Sequence, residues 1–160
     1  RDVLPSATGD LVQENNVAKA KMLPGTLILV ADDSPLARSM IEKGLTQQGA
    51  SFIMTKSGQE AWDRIQAMSD AAVAEGKTIK DKIALVLTDL EMPEMDGFTL
   101  TRKLKNDHRF KSIPVVIHSS LTGEANENHV KSSGADAYVA KFSAEDFTET
   151  IRKVIENNRE

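Results

Sequence analysis

The chain has 160 residues, the size of one ordinary domain, and its apolar fraction of 40% and charged fraction of 28% are typical of a soluble globular protein. A formal net charge of −4 without a basic stripe argues against a nucleic-acid partner, and the absence of cysteine excludes disulfides, thiolate metal sites and a cysteine nucleophile. No apolar run approaches the roughly 20 residues of a membrane span and no signal peptide is visible, so a cytoplasmic location without direct membrane contact is expected.

The first segment of the chain is predicted to be a linker. Residues 1–25 are polar and interrupted by proline and glycine, with one helical turn expected near residues 12–22. The chain starts with Arg1 rather than Met, which suggests a fragment of a longer protein. The folded domain is expected over residues 26–160.

The folded part begins with a strand and a helix. The apolar run at 26–31 stops at Asp32 and Asp33, which predicts a buried strand of the parallel type. Ser34 is expected to cap the helix that follows, and Gly49 is expected to end it.

The same strand–helix unit repeats along the chain. Further strands are predicted at residues 51–55, 83–89, 114–120 and 137–141. The second helix is predicted to begin at a capping box of Ser57 and Glu60 and to continue into an extension and loop over 69–82. Three more helices are predicted: one after a loop at 90–97, one near 124–133, and one after a cap at Ser143. Five strands alternating with five helices imply an α/β fold, in which both faces of a parallel sheet are covered.

Polar side chains stand where four of these strands end: Asp32 and Asp33, then Asp89, Ser119 and Lys141. Each alone is more often a helix cap or a solvated group, but the carboxyl ends of parallel strands meet at one rim, where ligands bind. Two carboxylates about 4 Å apart repel by about 4 kcal/mol at an effective dielectric of 20, so a cation is expected among them. Oxygen ligands suit Mg²⁺, and such a site can also bind a phosphoryl group, for which Asp is a competent nucleophile.

The three histidines are interpreted as structural or solvated. His118 lies one residue before Ser119 on a strand and should point to the opposite face. His108 and His129 lie in polar stretches, and no pair has metal-ligand spacing.

The segment TDLEMPEMDG (88–97) closely resembles the phosphorylation loop of response-regulator receiver domains, and the resemblance runs from about Thr26 to Asn157. It implies a flavodoxin-like (βα)5 doubly wound sheet with strand order 2-1-3-4-5. It also implies a signalling phosphoacceptor rather than an enzyme, which takes its phosphoryl group from a histidine kinase and slowly dephosphorylates itself.

The resemblance assigns a metal site to the rim. Asp32 and Asp33 would be the acidic pair that holds Mg²⁺. Asp89 would be both a metal ligand and the phosphoacceptor, and the backbone carbonyl of Glu91 would be a further ligand.

The resemblance also assigns Ser119 as the switch hydroxyl, Tyr138 as the switch aromatic and Lys141 as the lysine that contacts the phosphoryl group. Three features depart from the family pattern. Phe142 follows Lys141 where the family usually has proline after a cis peptide bond. A cis bond before Phe142 would cost about 3 kcal/mol, so a trans bond is open beside the cis bond. Ser119 replaces the commoner threonine, and residues 69–82 add length before the third strand.

Within the family, the HSS run at 118–120, the Lys-Phe pair, the 69–82 insertion and the preceding linker resemble the receivers of CheV-type chemotaxis coupling proteins. In those proteins a CheW-like coupling domain precedes the receiver. The resemblance implies a chemotaxis kinase as phosphoryl donor, a place at chemoreceptor arrays, and a role in adaptation or as a phosphate sink.

Other functions are weaker alternatives. A Mg²⁺-dependent phosphatase of the haloacid-dehalogenase type would need the pattern D-x-D-x-[TV] after the first strand, which residues 32–35 lack. A flavodoxin-like nucleotide binder would need a phosphate loop where acids stand. A receiver that only binds partners would not need the complete acidic and lysine set. A transcription-factor receiver would need a DNA-binding domain after Asn157.

Overall fold

The computed structural model describes residues 26–119, 132–140 and 144–159. They contain a five-stranded parallel sheet in the order β2-β1-β3-β4-β5, which confirms the predicted fold class and strand order. The strands are β1 Leu27–Ala31, β2 Ser51–Thr55, β3 Leu85–Asp89, β4 Val115–Ser119 and β5 Ala137–Ala140.

Four α-helices lie in the described segments: α1 Pro35–Gln47, α2 Gly58–Ala74, α3 Gly97–Lys105 and α4 Ala144–Arg159. A short 3-10 helix, Ile79–Asp81, follows α2 within the predicted 69–82 extension. The predicted linker 1–25, most of the predicted helix at 124–133 and the predicted cap Ser143 lie outside the described residues. None of the helices in the described segments combines the length and apolar content that a bilayer span requires.

The helix caps show where local sequence decides structure. The Ser34 hydroxyl accepts a hydrogen bond from the Ala37 N–H at 3.2 Å, as predicted for the start of α1. The Ser57 hydroxyl accepts from the Glu60 N–H at 3.0 Å, but the Glu60 carboxylate accepts from the Lys56 N–H at 2.8 Å rather than from Ser57. The capping-box prediction is therefore only half correct, because the extended backbone at Ser57 (φ −155°, ψ 163°) places the preceding N–H opposite the carboxylate.

The sheet separates two apolar cores. Since side chains alternate along a strand, Ile28 and Val30 of β1 join the core that includes residues of α1 and α4, whereas Leu29 and Ala31 join the core that includes residues of α2 and α3. The residues that share the first core include Ile41, Leu45, Leu85, Leu87, Val116, Val139, Ile151 and Ile155. The second includes Ile65, Val86, Leu100, Leu104, Phe110 and Val115. Both faces are covered, as the apolar strands predicted.

An ionic contact ties the amino ends of β4 and β5 to α3. Lys105 Nζ donates to the Ile113 carbonyl at 3.0 Å and lies 2.9 Å from Oδ2 of Asp136. The same Asp136 oxygen accepts a hydrogen bond from the Val115 N–H at 2.7 Å. The start of β5 is thus held at the edge of the sheet opposite to the rim where the strands end.

Candidate functional site

Three buried polar side chains meet where β1, β3 and β4 end. The pairing of Ala31 with Thr88 and of Asp89 with His118 places Asp32, Asp89 and His118 side by side across the sheet. One ligand atom from each of the three lies within 4.8 Å of the other two. Asp32 is 0% exposed, Asp89 4% and His118 4%.

Asp32 is held by its neighbours in sequence and in space. Its Oδ1 accepts a hydrogen bond from the Ser34 N–H at 2.8 Å, and its carbonyl accepts one from the Arg38 guanidinium at 2.8 Å. Its own N–H donates to the Thr55 carbonyl at 3.0 Å. These bonds orient Oδ2, which lies 3.3 Å from Nε2 of His118.

The loop after Asp89 folds back tightly over the end of β3. The Leu90 N–H donates to the His118 carbonyl at 3.1 Å, and the Gly97 N–H donates to the Leu90 carbonyl at 2.9 Å. A Cβ atom at Gly97 would lie 2.3 Å from the Asp89 carbonyl oxygen, so only glycine fits at the start of α3. Glu94, at the tip of the loop, has a φ of +70°.

The first turn of α2 closes the other side of this loop. A Cβ atom at Gly58 would lie 2.1 Å from the Met95 carbonyl oxygen, and the Met95 side chain is buried. The loop that carries the resemblance to a phosphorylation loop is therefore packed between β3, α2 and α3.

The predicted metal ligands differ in their surroundings. Asp32 and Asp89 come together, as the strand-end argument predicted. Asp33 is exposed and does not belong to the group of three, and Glu91 is exposed in the loop after Asp89. The assignment of Asp33 and of the Glu91 carbonyl as ligands stays a prediction.

The predicted switch residues lie on β4 and β5. Ser119 ends β4 and is 1% exposed. Tyr138 is half-buried, pairs with Ile117 across the sheet, and packs in a small apolar cluster with Leu90, Ile117 and Phe98. Lys141 and Phe142 lie outside the described residues, so the predicted contact of the lysine and the geometry of that peptide bond stay predictions.

His118 is buried, which agrees with its interpretation as structural, but it also lies beside two carboxylates, which that interpretation did not include. The alternation of side chains does separate it from Ser119, but the same alternation puts it on the side of Asp89, its partner in the parallel register. The signal in the sequence was its place as the penultimate residue of a strand that neighbours the one ending in Asp89. His108 is exposed, in agreement with its interpretation, and His129 lies outside the described residues.

The donor set fits a divalent cation. Two ionised carboxylates buried side by side are costly unless a positive charge joins them. Carboxylate oxygens are the ligands that Mg²⁺ prefers, and the imidazole adds one nitrogen that Mg²⁺ does not require. The acidic pocket is thus suited to metal binding, with Asp32 and Asp89 as its buried carboxylates.

Comparison with known proteins gives matches over most of the chain. A family model described as the response regulator receiver domain matches residues 28–152. Chemotaxis protein CheV3 of Helicobacter pylori is 33% identical over 131 residues, covering 82% of this chain and 41% of that protein. Chemotaxis protein CheY1 of the same species is 30% identical over 133 residues, covering 82% of this chain and 98% of that protein.

The chain spans about two fifths of the length of the CheV relatives, with shares of 41%, 40% and 38%. Among solved structures, the chemotaxis response regulator CheY4 of Vibrio cholerae has a TM-score of 0.68 at 22% identity, covering 81% of this chain and 98% of that chain. The receiver domain of the histidine kinase CKI1 from Arabidopsis thaliana has a TM-score of 0.72 at 24% identity, covering 84% and 92%. Both likenesses show the fold.

Proposed function

The chain belongs to the response regulator receiver domain family, and from this premise we propose that it accepts a phosphoryl group from a histidine kinase on Asp89 and switches a protein-interaction surface. The observation that carries this proposal is the position of Asp89 at the end of β3, buried beside the Asp32 carboxylate and under the loop 90–96. Proteins of this family act in two-component signalling, and the relatives of this chain include chemotaxis proteins.

Asp89 is proposed as the nucleophile. A carboxylate oxygen of Asp89 attacks the phosphorus of a phosphohistidine, the P–N bond breaks, and the released imidazole takes up a proton, which leaves an acyl phosphate on Asp89. Mg²⁺, held by Asp32 and Asp89 with Asp33 and the Glu91 carbonyl as further proposed ligands, would neutralise charge on the transferring group. The hydrogen bonds that Oδ1 and the carbonyl of Asp32 accept, and the one that its N–H donates, keep its carboxylate oriented toward this position.

Ser119 and Tyr138 are proposed as the switch. In this proposal the Ser119 hydroxyl and the Lys141 ammonium bind oxygens of the new phosphoryl group. Movement of Ser119 opens space beside β5, and the half-buried Tyr138 turns further into its cluster with Leu90, Ile117 and Phe98. The result is a population shift that changes the surface formed by residues 121–150.

The proposed setting is bacterial chemotaxis, in a coupling protein of the CheV type. The similarity to CheV3, CheV1 and CheV2 of Helicobacter pylori supports this setting. The proposed partners are the chemotaxis kinase and an upstream CheW-like domain in the same protein, at chemoreceptor arrays in the cytoplasm. Adaptation and phosphate drainage are the two roles that this setting offers.

The test is incubation with Mg²⁺ and a small acyl phosphate, followed by intact mass measurement. The wild-type chain is expected to gain one phosphoryl group, and Asp89→Asn is expected to gain none because its amide oxygen is a poor nucleophile. Asp63→Asn, on the exposed side of α2, is the matched control and should gain one group as the wild type does. Phosphorylation of Asp89→Asn at the wild-type level, or none in the wild type, would contradict the proposal.

A further inference from the structure

We propose that His118 is a nitrogen ligand of the metal centre and that it shifts the preference of the site from Mg²⁺ toward a divalent transition-metal ion such as Mn²⁺ or Ni²⁺. This inference rests on the metal centre of the proposed function and adds the class of ion that this chain selects. The residues that carry it are His118, Asp32 and Asp89, the three buried side chains at the ends of β4, β1 and β3.

The spacing of the donor atoms is that of ligands around one ion. Nε2 of His118 lies 3.3 Å from Oδ2 of Asp32. One donor atom each of His118, Asp32 and Asp89 lie within 4.8 Å of one another. Two neighbouring ligands about 2.1 Å from a metal are about 3 Å apart in octahedral coordination and about 3.4 Å apart in tetrahedral coordination. Little movement is therefore needed for the three atoms to share one ion.

The backbone holds the imidazole in this place. His118 is in register with Asp89, and its carbonyl accepts a hydrogen bond from the Leu90 N–H at 3.1 Å. The side chain is 5% exposed, and the loop after Asp89 is packed against α2 and α3. A ligand on a strand interior is positioned more precisely than one on a surface loop.

The chemistry of the donors decides the ion. Mg²⁺ favours six oxygen ligands and loses its water reluctantly, so an imidazole nitrogen adds little to the affinity of the site for Mg²⁺. Mn²⁺ and Ni²⁺ accept mixed oxygen and nitrogen ligands, and affinity for such sites rises along the series from Mn²⁺ to Ni²⁺. A nitrogen donor therefore raises the affinity for Ni²⁺ relative to Mg²⁺ beyond what two carboxylates give.

The experiment is titration calorimetry with Mg²⁺ alone and with Ni²⁺ alone, on untagged wild type, His118→Val and His108→Gln. His118→Val is expected to lose at least tenfold in Ni²⁺ affinity while Mg²⁺ affinity stays equal or rises, because the loss of a group that only hydrogen-bonds to a metal ligand already costs about 10–100-fold. His108→Gln, which removes an exposed histidine, should keep both wild-type affinities.

A second readout detects the nitrogen directly. With Mn²⁺ bound to protein that carries ¹⁵N only in histidine, pulsed electron paramagnetic resonance should show a ¹⁵N coupling in the wild type and in His108→Gln, and none in His118→Val. If His118→Val does not fold, a coupling that persists in both His108→Gln and His129→Gln assigns the nitrogen to His118, because the chain has three histidines.

The outcomes separate this inference from the proposed function. An unchanged ratio of Ni²⁺ to Mg²⁺ affinity in His118→Val, or no histidine coupling in the wild type, overturns the role of His118 and leaves the Mg²⁺ site standing. Binding of neither ion by the wild type overturns both.

Discussion

Glu94 shows how one residue shapes the loop over the phosphoacceptor candidate. Its φ of +70° is in the left-handed region, which costs a residue with a side chain about 1–2 kcal/mol and costs glycine almost nothing. The loop keeps this conformation because both of its ends are held, by the bond from Gly97 to Leu90 and by the packing of Gly58 against Met95.

We expect Glu94→Gly to raise the free energy of unfolding by about 0.5–1 kcal/mol, because the relief of backbone strain exceeds the added entropy of the unfolded chain. Urea unfolding in metal-free buffer measures this change. Glu91→Gly is the control: Glu91 lies in the same loop without a positive φ, so the substitution should lower the free energy by about 0.4–1 kcal/mol. A loss of stability in Glu94→Gly would show that its left-handed backbone carries no strain.

At the scale of single residues, the sequence predicted the positions of Asp32 and Asp89 better than the position of His118. Asp32 and Asp89 could be placed together because each follows or ends a buried apolar strand, and parallel strands end at one rim. His118 could not be assigned from spacing along the chain, because its neighbours come from two other strands. The exposure of Asp33 also escaped prediction, since adjacent residues after a strand can turn either way.

At the scale of elements, start and stop signals were reliable and side-chain pairings were not. Ser34 and Ser57 cap helices as predicted, because a cap depends on three or four consecutive residues. The predicted hydrogen-bond partner of the Glu60 carboxylate was wrong by one residue, because the partner depends on the direction in which the chain enters α2. The predicted bounds of β2 agree with the structure, whereas β1, β3 and β4 begin one or two residues later than predicted.

The turn after α3 gives a prediction about acid. Hydrogen bonds from the Arg109 side chain lower the pKa of Asp107 from 3.8 to about 2. A carboxyl whose pKa is lower in the folded chain contributes stability above its unfolded pKa, and this contribution is lost as the pH falls toward the folded value. The stabilising contribution of Asp107 should therefore be complete above about pH 5 and decline between about pH 4 and pH 2.

Urea unfolding of wild type and Asp107→Asn across this range measures the effect. The difference in free energy of unfolding should be constant near neutral pH and shrink in acid, by a modest amount because the pair lies near solvent. In an Arg109→Gln background, Asp107→Asn should lose most of this pH dependence. A difference that stays the same from pH 6 to pH 2 would exclude the contribution.

At the scale of the whole molecule, the apolar runs predict that the strands are buried but do not predict their order in the sheet. Apolar runs at 26–31 and 83–89 predict strands covered on both faces, and both faces are covered by the two cores. Periodicity contains no information on strand order, so the order 2-1-3-4-5 came from the resemblance at 88–97 and is confirmed by the pairings.

Metal binding should be visible as stability of the entire fold. We expect Mg²⁺ to raise the Tm, because the ion binds carboxylates that only the folded chain brings together; at 100 times Kd the gain would be about 2.7 kcal/mol. Thermal unfolding followed by circular dichroism, with and without millimolar Mg²⁺, measures it. Asp33→Ala should remove most of the gain and Asp63→Ala none. An equal gain in wild type and Asp33→Ala would remove Asp33 from the metal site.

The contact between Lys105 and Asp136 has a consequence for how β5 can move. The beginning of β5 is held in place, because Asp136 also accepts a hydrogen bond from the Val115 N–H. Tyr138 lies further along the strand, toward the rim where the strands end. Because β5 is held at its first residues, we expect it to rotate about that end and not to slide along β4. Small displacements at the rim would then tilt β5 while its first pairing with β4, between Ala137 and Val116, stays in register.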